Sequence, residues 1–203
     1  MAKEVRLIVL ISGNGSNLQA LLSACDTGQI SANILGVLSN RSEAYGLRRA
    51  EKYNIPTIVF HRLTNRADYD EDLGNLVATF KPDWIILAGW MHILSMKFLE
   101  KFPNKVVNLH PALPGQFPGT KAIERAYTAY QQGQIEQTGI MVHLVPDEGV
   151  DDGPVLATQT VPILPDDSVA SLAERMHQTE HALLVETVRK LVVGEIDVKA
   201  LSN

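Results

Sequence analysis

The chain has 203 residues, of which 45% are hydrophobic and 20% are charged, and its formal net charge is −5. A chain of this length can bury a core of its own without disulfides or metal ions. Its acidic balance argues against general affinity for nucleic acid, because phosphate backbones select basic surfaces. The single cysteine, Cys25, excludes an intrachain disulfide and a cysteine-based metal cluster.

The first apolar run, Leu7–Ile11, is too short for the apolar region of a signal peptide and far too short to span a bilayer. It predicts a buried parallel strand instead. We therefore expect a cytoplasmic protein with no membrane partner. Cys25 follows the apolar helical run Leu18–Ala24, which favours a packing role for this thiol over a nucleophilic one.

Apolar runs alternate with amphipathic stretches, the pattern of right-handed βαβ units. The predicted strands are Val5–Ile11, Ile34–Ser39, Pro56–Phe60, Trp84–Ala88, Val106–Leu109, Ile140–Val145 and Val155–Val161. The predicted helices between the early strands are Asn17–Cys25, Glu43–Tyr53, Tyr69–Phe80 and Ser95–Lys101. The predicted fold class is α/β, with a mostly parallel sheet of about seven strands and helices on both faces.

The last three predicted strands are separated differently from the others. A Pro/Gly-rich stretch, Pro111–Gly119, and an acidic turn, Pro146–Gly153, stand between them, which suggests an irregular, antiparallel C-terminal half. The segment Asp166–Ser168 has the composition of a helix cap and predicts a long final helix that reaches about Val193. No linker divides the chain, so residues 1–203 are expected to form one domain.

The first strand runs into Ser12-Gly13-Asn14-Gly15-Ser16-Asn17, and a helix follows at once. Glycines allow close backbone approach, and the first-turn N–H groups of a helix favour an anion. A P-loop is excluded because it needs a lysine, and a dinucleotide fingerprint needs a glycine where Leu18 stands. Arg41, after the second strand, leaves open a nicotinamide cofactor with a 2′-phosphate. A tight turn without a ligand is the remaining alternative.

Asn108 and His110 stand at the end of the fifth predicted strand, before Pro111. Residues two apart on a strand point to the same face, so the two side chains can direct N–H donors toward one point. Two converging donors are what a developing oxyanion requires. The alternative is that both side chains only satisfy nearby backbone groups.

The acidic turn contains Asp151 and Asp152, and the strand before it carries His143. A carboxylate close to His110 would raise the pKa of the imidazole and fix its tautomer. For His143, in mid-strand, a role in the core or behind the reacting groups is expected. The acidic residues of this turn match no calcium-loop pattern, so no metal site is predicted. A plain turn is the alternative.

Four motifs in order carry a resemblance to a known family. They are Ser-Gly-Asn-Gly-Ser-Asn-Leu-Gln-Ala (12–20), Ala-Gly-Trp-Met-His-Ile-Leu (88–94), Asn-Leu-His-Pro (108–111) and Val-His-Leu-Val…Asp-Asp-Gly-Pro (142–154). The chain closely resembles the phosphoribosylglycinamide formyltransferase family, folate-dependent enzymes of purine synthesis. The resemblance extends to Gln-Thr-Glu-His (178–181) in the last predicted helix.

The resemblance implies a fold, a reaction and a set of site residues. The fold would be a formyltransferase variant of the Rossmann sheet, whose N-terminal half binds the ribonucleotide and whose C-terminal half binds folate and carries the chemistry. Matching positions are, for catalysis, Asn108, His110 and Asp151; for the ribonucleotide, Gly15, Ser16, Asn17 and Glu180; and for folate, Arg66, Met91, His92, Ile93, Leu94 and Asn108. The segment Val145–Asp151 would close over the pterin.

By this resemblance the substrates are 10-formyltetrahydrofolate, as cosubstrate, and phosphoribosylglycinamide. No metal and no nucleic acid take part, and the protein is a monomer or a homodimer. The turn after His143 is one residue longer than the family pattern, so either Asp151 or Asp152 could pair with His110. A formyltetrahydrofolate hydrolase and an NADP-binding oxidoreductase are the alternative functions.

Overall fold

The computed structural model describes residues 4–61 and 65–201. Its strands are β1 Val5–Ile11, β2 Ala32–Ser39, β3 Thr57–Val59, β4 Trp84–Leu87, β5 Val106–His110, β6 Gln137–Leu144 and β7 Val155–Pro162. Its helices are α1 Ser16–Asp26, α2 Tyr45–Lys52, α3 Arg66–Thr79, α4 Met96–Leu99, α5 Ala122–Gln131 and α6 Val169–Val192. The strands form one sheet in the order β3-β2-β1-β4-β5-β6-β7.

The sheet is mostly parallel and carries helices on both faces, as the sequence predicts. β1 shows why: Leu7, Val9 and Ile11 pack into one core cluster, whereas Ile8 and Leu10 pack into the other. Side chains alternate along a strand, so a strand that is buried on both faces reads as an unbroken apolar run. Helices α1, α2, α5 and α6 cover the first cluster, and α3 and α4 cover the second.

The C-terminal strands are antiparallel, as the spacing suggests. β6 pairs with β5, and β7 with β6, in antiparallel register. The acidic turn therefore begins beside the start of β5, where Leu144 pairs with Val107. Asp151, later in the turn, lies next to His110 at the other end of β5. Ser168 caps the final helix through a capping box with Ser171, so the predicted cap and the end near Val193 are confirmed.

Helix α5 is the element that the sequence analysis missed. Its buried positions are Ala122, Ile123, Ala126 and Ala129, and three of these are alanines. Lys121, the residue before the helix, adopts a left-handed conformation without a side-chain cap. No cap residue in the sequence marks the start of this helix.

The order of the strands decides where a ligand can bind. β1 and β4 are neighbours in the sheet, but the chain continues from β1 to β2 on one side and from β4 to β5 on the other. In open α/β sheets such a switch of direction opens a crevice at the carboxyl ends of the strands. Ser12 spans this edge, since its backbone N–H donates to the Gly89 carbonyl and its hydroxyl accepts from the Met91 N–H at 2.8 Å.

Candidate active site

A cavity of about 400 Å³ opens beside the carboxyl ends of β4 and β5. Its walls come from residues 89–94 after β4, from Asn108 and His110 of β5, from residues 119–122 and from the acidic turn. These segments are far apart in the sequence, so it is the fold of the chain that brings them together around the cavity. The predicted folate-contacting stretch and the predicted catalytic side chains thus share one enclosed space.

The structure brings Asn108, His110 and Asp151 together. The Oδ2 atom of Asp151 lies 3.1 Å from Nδ1 of His110, and its Oδ1 atom accepts from the Asn108 Nδ2 group at 3.0 Å. The backbone N–H of Gly119 donates to Oδ2 at 2.8 Å. Asp152 is exposed and lies against Gly149 within the turn. The geometry therefore selects Asp151, of the two candidates, as the neighbour of His110.

Two opposing effects act on the pKa of His110. Burial lowers the pKa of His110 below its ordinary value, and the negative charge of Asp151 offsets this effect only in part. The Asp151 carboxylate does raise this pKa, as expected, but burial outweighs it in the ligand-free protein, because the residue is only 3% exposed. The Nε2 atom of the ring lies 3.1 Å from the Phe117 carbonyl oxygen, so both ring nitrogens face oxygen acceptors.

Asp151 is held as a carboxylate. Burial by itself would raise its pKa, but the two neighbouring imidazoles and the Gly119 N–H outweigh burial and lower the pKa below its ordinary value. Its backbone has a φ of +56°, a conformation that costs energy for a residue with a side chain. Such strain persists where surrounding contacts fix a side chain, and here the fixed group is the carboxylate between Asn108 and His110.

The loop between β1 and α1 is built for close approach. Gly15 has a φ of +75° and precedes α1, whose first turn carries no acidic residue. A Cβ at Gly15 would lie 2.6 Å from the Gly46 Cα, so α2 packs directly on the loop. Arg49 of α2 donates from Nε to the Asn14 carbonyl and from Nη2 to the Asn14 side chain, both at 2.9 Å. The loop is therefore a rigid, positively biased helix N-terminus.

Glu180 lies on α6 beside this loop. Its Oε2 atom accepts from the Asn17 Nδ2 group at 3.1 Å, and the residue is 6% exposed. Burial raises the pKa of Glu180, although the Asn17 contact and the charge of His177 oppose that rise. Ser16 is the first residue of α1 and stands between Gly15 and Asn17. The residues that the resemblance associates with the ribonucleotide are thus adjacent in space.

The residues that the resemblance associates with folate divide into two groups. Met91, His92, Ile93 and Leu94 line the cavity, with Met91 and Ile93 more than half exposed at its mouth. Arg66 does not line it. Its Nε donates to the Ile93 carbonyl at 3.0 Å, and its Nη2 lies 2.9 Å from Glu148 of the acidic turn. Arg66 thereby joins the turn to the stretch that follows β4.

A sequence model of the formyl transferase family matches residues 5–188 of the chain. The phosphoribosylglycinamide formyltransferase of Dictyostelium discoideum is 44% identical over 200 residues, which cover 91% of this chain and 97% of that protein. The Escherichia coli K12 enzyme of the same name is 37% identical over 181 residues, 88% of this chain and 83% of that protein. The crystal structure of glycinamide ribonucleotide transformylase 1 from Symbiobacterium toebii superposes with a TM-score of 0.89 at 34% identity, covering 96% of this chain and 90% of that one.

The chain belongs to the phosphoribosylglycinamide formyltransferase family. It is accordingly an enzyme, a transferase of formyl groups, and the family resemblance seen in its motifs is confirmed. The named relatives give no support to an NADP-dependent oxidoreductase, and Arg41, on which that alternative depended, is exposed after β2.

In this formyltransferase, Cys25 has the surroundings of a packing residue. Burial raises the pKa of its thiol to about 11, which leaves it protonated near neutral pH. The thiol packs against the core cluster beneath α1, as expected from the sequence. Within residues 4–61 and 65–201, no group of three or more His, Cys, Asp or Glu side chains is arranged to hold a metal ion. Across the same described ranges, no helix has the length and apolarity needed to cross a membrane.

One buried residue beside the site had no signal in the sequence. Asp70 of α3 is fully buried, and its carboxylate lies 2.7 Å from Nε2 of His92 and accepts from the Ser95 N–H at 2.7 Å. Burial alone would raise the pKa of Asp70, yet these contacts lower it. An acidic residue within an amphipathic helix normally faces solvent. The contacts of Asp70 therefore become visible only in the tertiary structure, where α3 packs against residues 92–95.

We expect Asp70→Ala to destabilise the formyltransferase by about 3 kcal/mol, because removal of one partner of a buried pair leaves the other uncompensated. Urea unfolding measures this change, and Asp72→Ala, at an exposed position of the same helix, should change stability by less than about 0.5 kcal/mol. Since the folded pKa of Asp70 is lowered, its contribution is present above the unfolded pKa and is lost as pH falls through the folded pKa. Equal losses in both variants would contradict the assignment.

Proposed function

We propose that the chain transfers the formyl group of 10-formyltetrahydrofolate to the amine of phosphoribosylglycinamide. The products are formylglycinamide ribonucleotide and tetrahydrofolate, in de novo purine biosynthesis. The observation that carries the proposal is the hydrogen-bonded group of Asn108, His110 and Asp151 on one wall of a cavity whose opposite wall is the 89–94 stretch. Family membership supplies the reaction class, and this geometry supports the choice of these three residues as the groups that act in the reaction.

The proposed reaction is a direct acyl transfer. The neutral amine attacks the formyl carbon on N10 of the folate, and a tetrahedral intermediate with an oxyanion forms. Asn108 and His110 donate hydrogen bonds to that oxygen, and donors fixed in a water-poor site stabilise such charge most effectively. The C–N10 bond then breaks, and a water molecule carries the proton lost by the amine to N10.

In this mechanism Asp151 keeps His110 able to act as a cation. Burial disfavours the imidazolium, whereas the carboxylate 3.1 Å from Nδ1 favours it. The protonated ring is also the form that can donate from both nitrogens, to Asp151 on one side and to an oxygen acceptor on the other. The Phe117 carbonyl occupies that second place in the ligand-free protein, and the substrate oxyanion would replace it.

The substrates would occupy the two ends of the crevice. We assign the ribonucleotide phosphate to the N-terminus of α1 at Gly15, Ser16 and Asn17, with Glu180 near the acceptor amine. We assign the folate to the cavity lined by Met91, His92, Ile93 and Leu94, with Asn108 between the two substrates. Arg66 would support the folate by holding Ile93 and the acidic turn, since both contacts exist without ligand.

The setting proposed for this enzyme follows its substrates. Both are small soluble molecules, so we propose a cytoplasmic enzyme that acts as a monomer or homodimer and uses 10-formyltetrahydrofolate as its cosubstrate, without a metal ion. No nucleic acid or membrane partner is proposed, in keeping with the acidic net charge of −5.

The deciding experiment follows tetrahydrofolate release from 10-formyltetrahydrofolate with and without phosphoribosylglycinamide. Release that depends on the amine, together with formylglycinamide ribonucleotide as a product, supports the proposal. Release at the same rate without the amine would instead indicate a formyltetrahydrofolate hydrolase.

The phosphate assignment is tested most cleanly at Gly13. A Cβ at this position meets no atom within 4 Å, so alanine fits the ligand-free loop, whereas any side chain at Gly15 would collide with Gly46. We expect Gly13→Ala to raise the KM for phosphoribosylglycinamide by about tenfold, or about 1.4 kcal/mol, because the methyl group enters the space of the phosphate. The KM for folate should stay within about twofold.

Gly36→Ala is the matched control for this loop. Its Cβ would make ordinary contacts of 3.5 Å or more in β2, away from the crevice. We expect both KM values of this variant to equal those of the wild type. If Gly13→Ala raises both KM values equally, the phosphate does not bind at this loop.

A further inference from the structure

His143 lies directly behind the proposed reaction centre. It stands on β6 opposite Asn108 of β5 in the antiparallel register, and it is 2% exposed. A buried polar ring of this kind needs hydrogen-bond partners, because an unsatisfied buried donor or acceptor is destabilising. Its partners therefore reveal what the ring can do.

The two ring nitrogens of His143 have different partners. Nδ1 lies 2.8 Å from the Leu144 carbonyl oxygen, which can only accept, so Nδ1 carries the hydrogen. In a neutral ring Nε2 then presents a lone pair. The Asn108 Nδ2 group lies 3.1 Å from Nε2 and donates to it, whereas Asp151 Oδ1, at 3.6 Å from Nε2, is too far away to accept a hydrogen bond from it. The hydrogen-bond network thus assigns the Nδ1–H tautomer to His143.

This tautomer determines which way the Asn108 amide points. One N–H of the amide donates to His143 Nε2, and the other donates to Asp151 Oδ1 at 3.0 Å. If the amide were rotated by half a turn, its oxygen would face a lone pair on one side and a carboxylate oxygen on the other. Both contacts would be repulsive, so His143 and Asp151 together fix the NH₂ group toward the reaction centre.

We propose that His143 is a positioning residue, a neutral acceptor that holds the Asn108 amide so that its second N–H, shared with Asp151 in the free protein, is available to the oxyanion. The proposal rests on the proposed function for the identity of that oxyanion. The two donors of Asn108 are committed to different partners, so the His143 contact can persist while the Asp151 contact is exchanged for substrate. His143 thereby acts on the reaction through Asn108.

Two substitutions separate positioning from packing. His143→Leu keeps much of the volume but removes the acceptor, and we expect kcat to fall by about 10²-fold, the loss typical of one misplaced oxyanion donor. Both KM values should remain within about twofold. His143→Gln places an amide oxygen where Nε2 stood, and we expect it to recover most of the lost kcat. A glutamine variant no faster than the leucine variant would overturn the proposal.

A double-mutant cycle with Asn108 provides the second test. If His143 acts through Asn108, the variant carrying both Asn108→Ala and His143→Leu should be no slower than Asn108→Ala alone, because the amide that His143 positions is already absent. Losses in kcat that multiply would show an independent role for His143 and would overturn the proposal.

A spectroscopic test does not depend on activity. Long-range ¹H–¹⁵N correlation of the histidine rings in the wild-type chain should show His143 as the Nδ1–H tautomer, and Asn108→Ala should perturb its Nε2 signal. The Nε2–H tautomer would overturn the proposal even if His143→Leu failed to fold. A wild-type chain that makes no formylglycinamide ribonucleotide would refute the proposed function instead, and the tautomer measurement would still decide this inference.

Discussion

Asp151→Asn should lower kcat by about 10²–10³-fold, the range seen when the electrostatic support of an oxyanion is lost, while both KM values change little. The substitution keeps the shape of the side chain but removes the charge that lies 3.1 Å from Nδ1 of His110. Without that charge, burial lowers the pKa of His110 further. Steady-state kinetics with each substrate varied in turn measure the effect.

The pH dependence of this variant shows whether the Asp151 carboxylate raises or lowers the pKa of His110. The active ring is the protonated one in the proposed mechanism, so activity declines as pH rises through the His110 pKa. Because Asp151→Asn lowers that pKa, the decline should occur at a lower pH than in the wild type. A decline shifted to higher pH would contradict the pairing of the carboxylate with the imidazole.

Asp152→Asn is the internal control for the longer turn. Its carboxylate is exposed and makes no contact with His110 in the structure, so we expect kcat and the pH profile to match those of the wild type. If Asp152→Asn loses activity while Asp151→Asn does not, the assignment within this turn is off by one residue.

His110→Ala should be the second severe variant, with a fall in kcat of about 10²–10³-fold from the loss of one oxyanion donor. The decline of activity with rising pH should also disappear, since the group that titrates is gone. The ring lines the cavity but is assigned to no part of the phosphate site, so the KM for phosphoribosylglycinamide should stay within about threefold.

His61→Ala serves as the comparison for this histidine. His61 is exposed and lies outside the cavity, and its removal should leave kcat and the pH profile unchanged. An unaltered pH profile in His110→Ala would mean that another group titrates in the reaction, and the proposed role of His110 would have to be abandoned.

Several features could be predicted from the sequence because they are encoded locally. β1 has the predicted bounds, Val5–Ile11, since a short apolar run that ends at a glycine-rich loop favours a buried strand. Asn108 and His110 share a strand with period two, which is why their placement at the end of β5 followed from spacing alone. The loop at Gly15 was recognisable because two glycines, which allow close backbone approach, separate a buried strand from a helix; the structure adds that Gly15 is left-handed.

The sequence by itself thus determined the fold class, the strands of the sheet and the residues that could act. Only the tertiary structure decided that Asp151 is the neighbour of His110, that His143 faces Asn108 and that Asp70 is buried. Asn108 and His143 are 35 residues apart in sequence, and Asn108 and Asp151 are 43 apart. Periodicity is set by a residue and its near neighbours, whereas register and burial arise where distant segments meet. The lowered pKa of His110 has the same origin, because desolvation depends on everything packed around the ring.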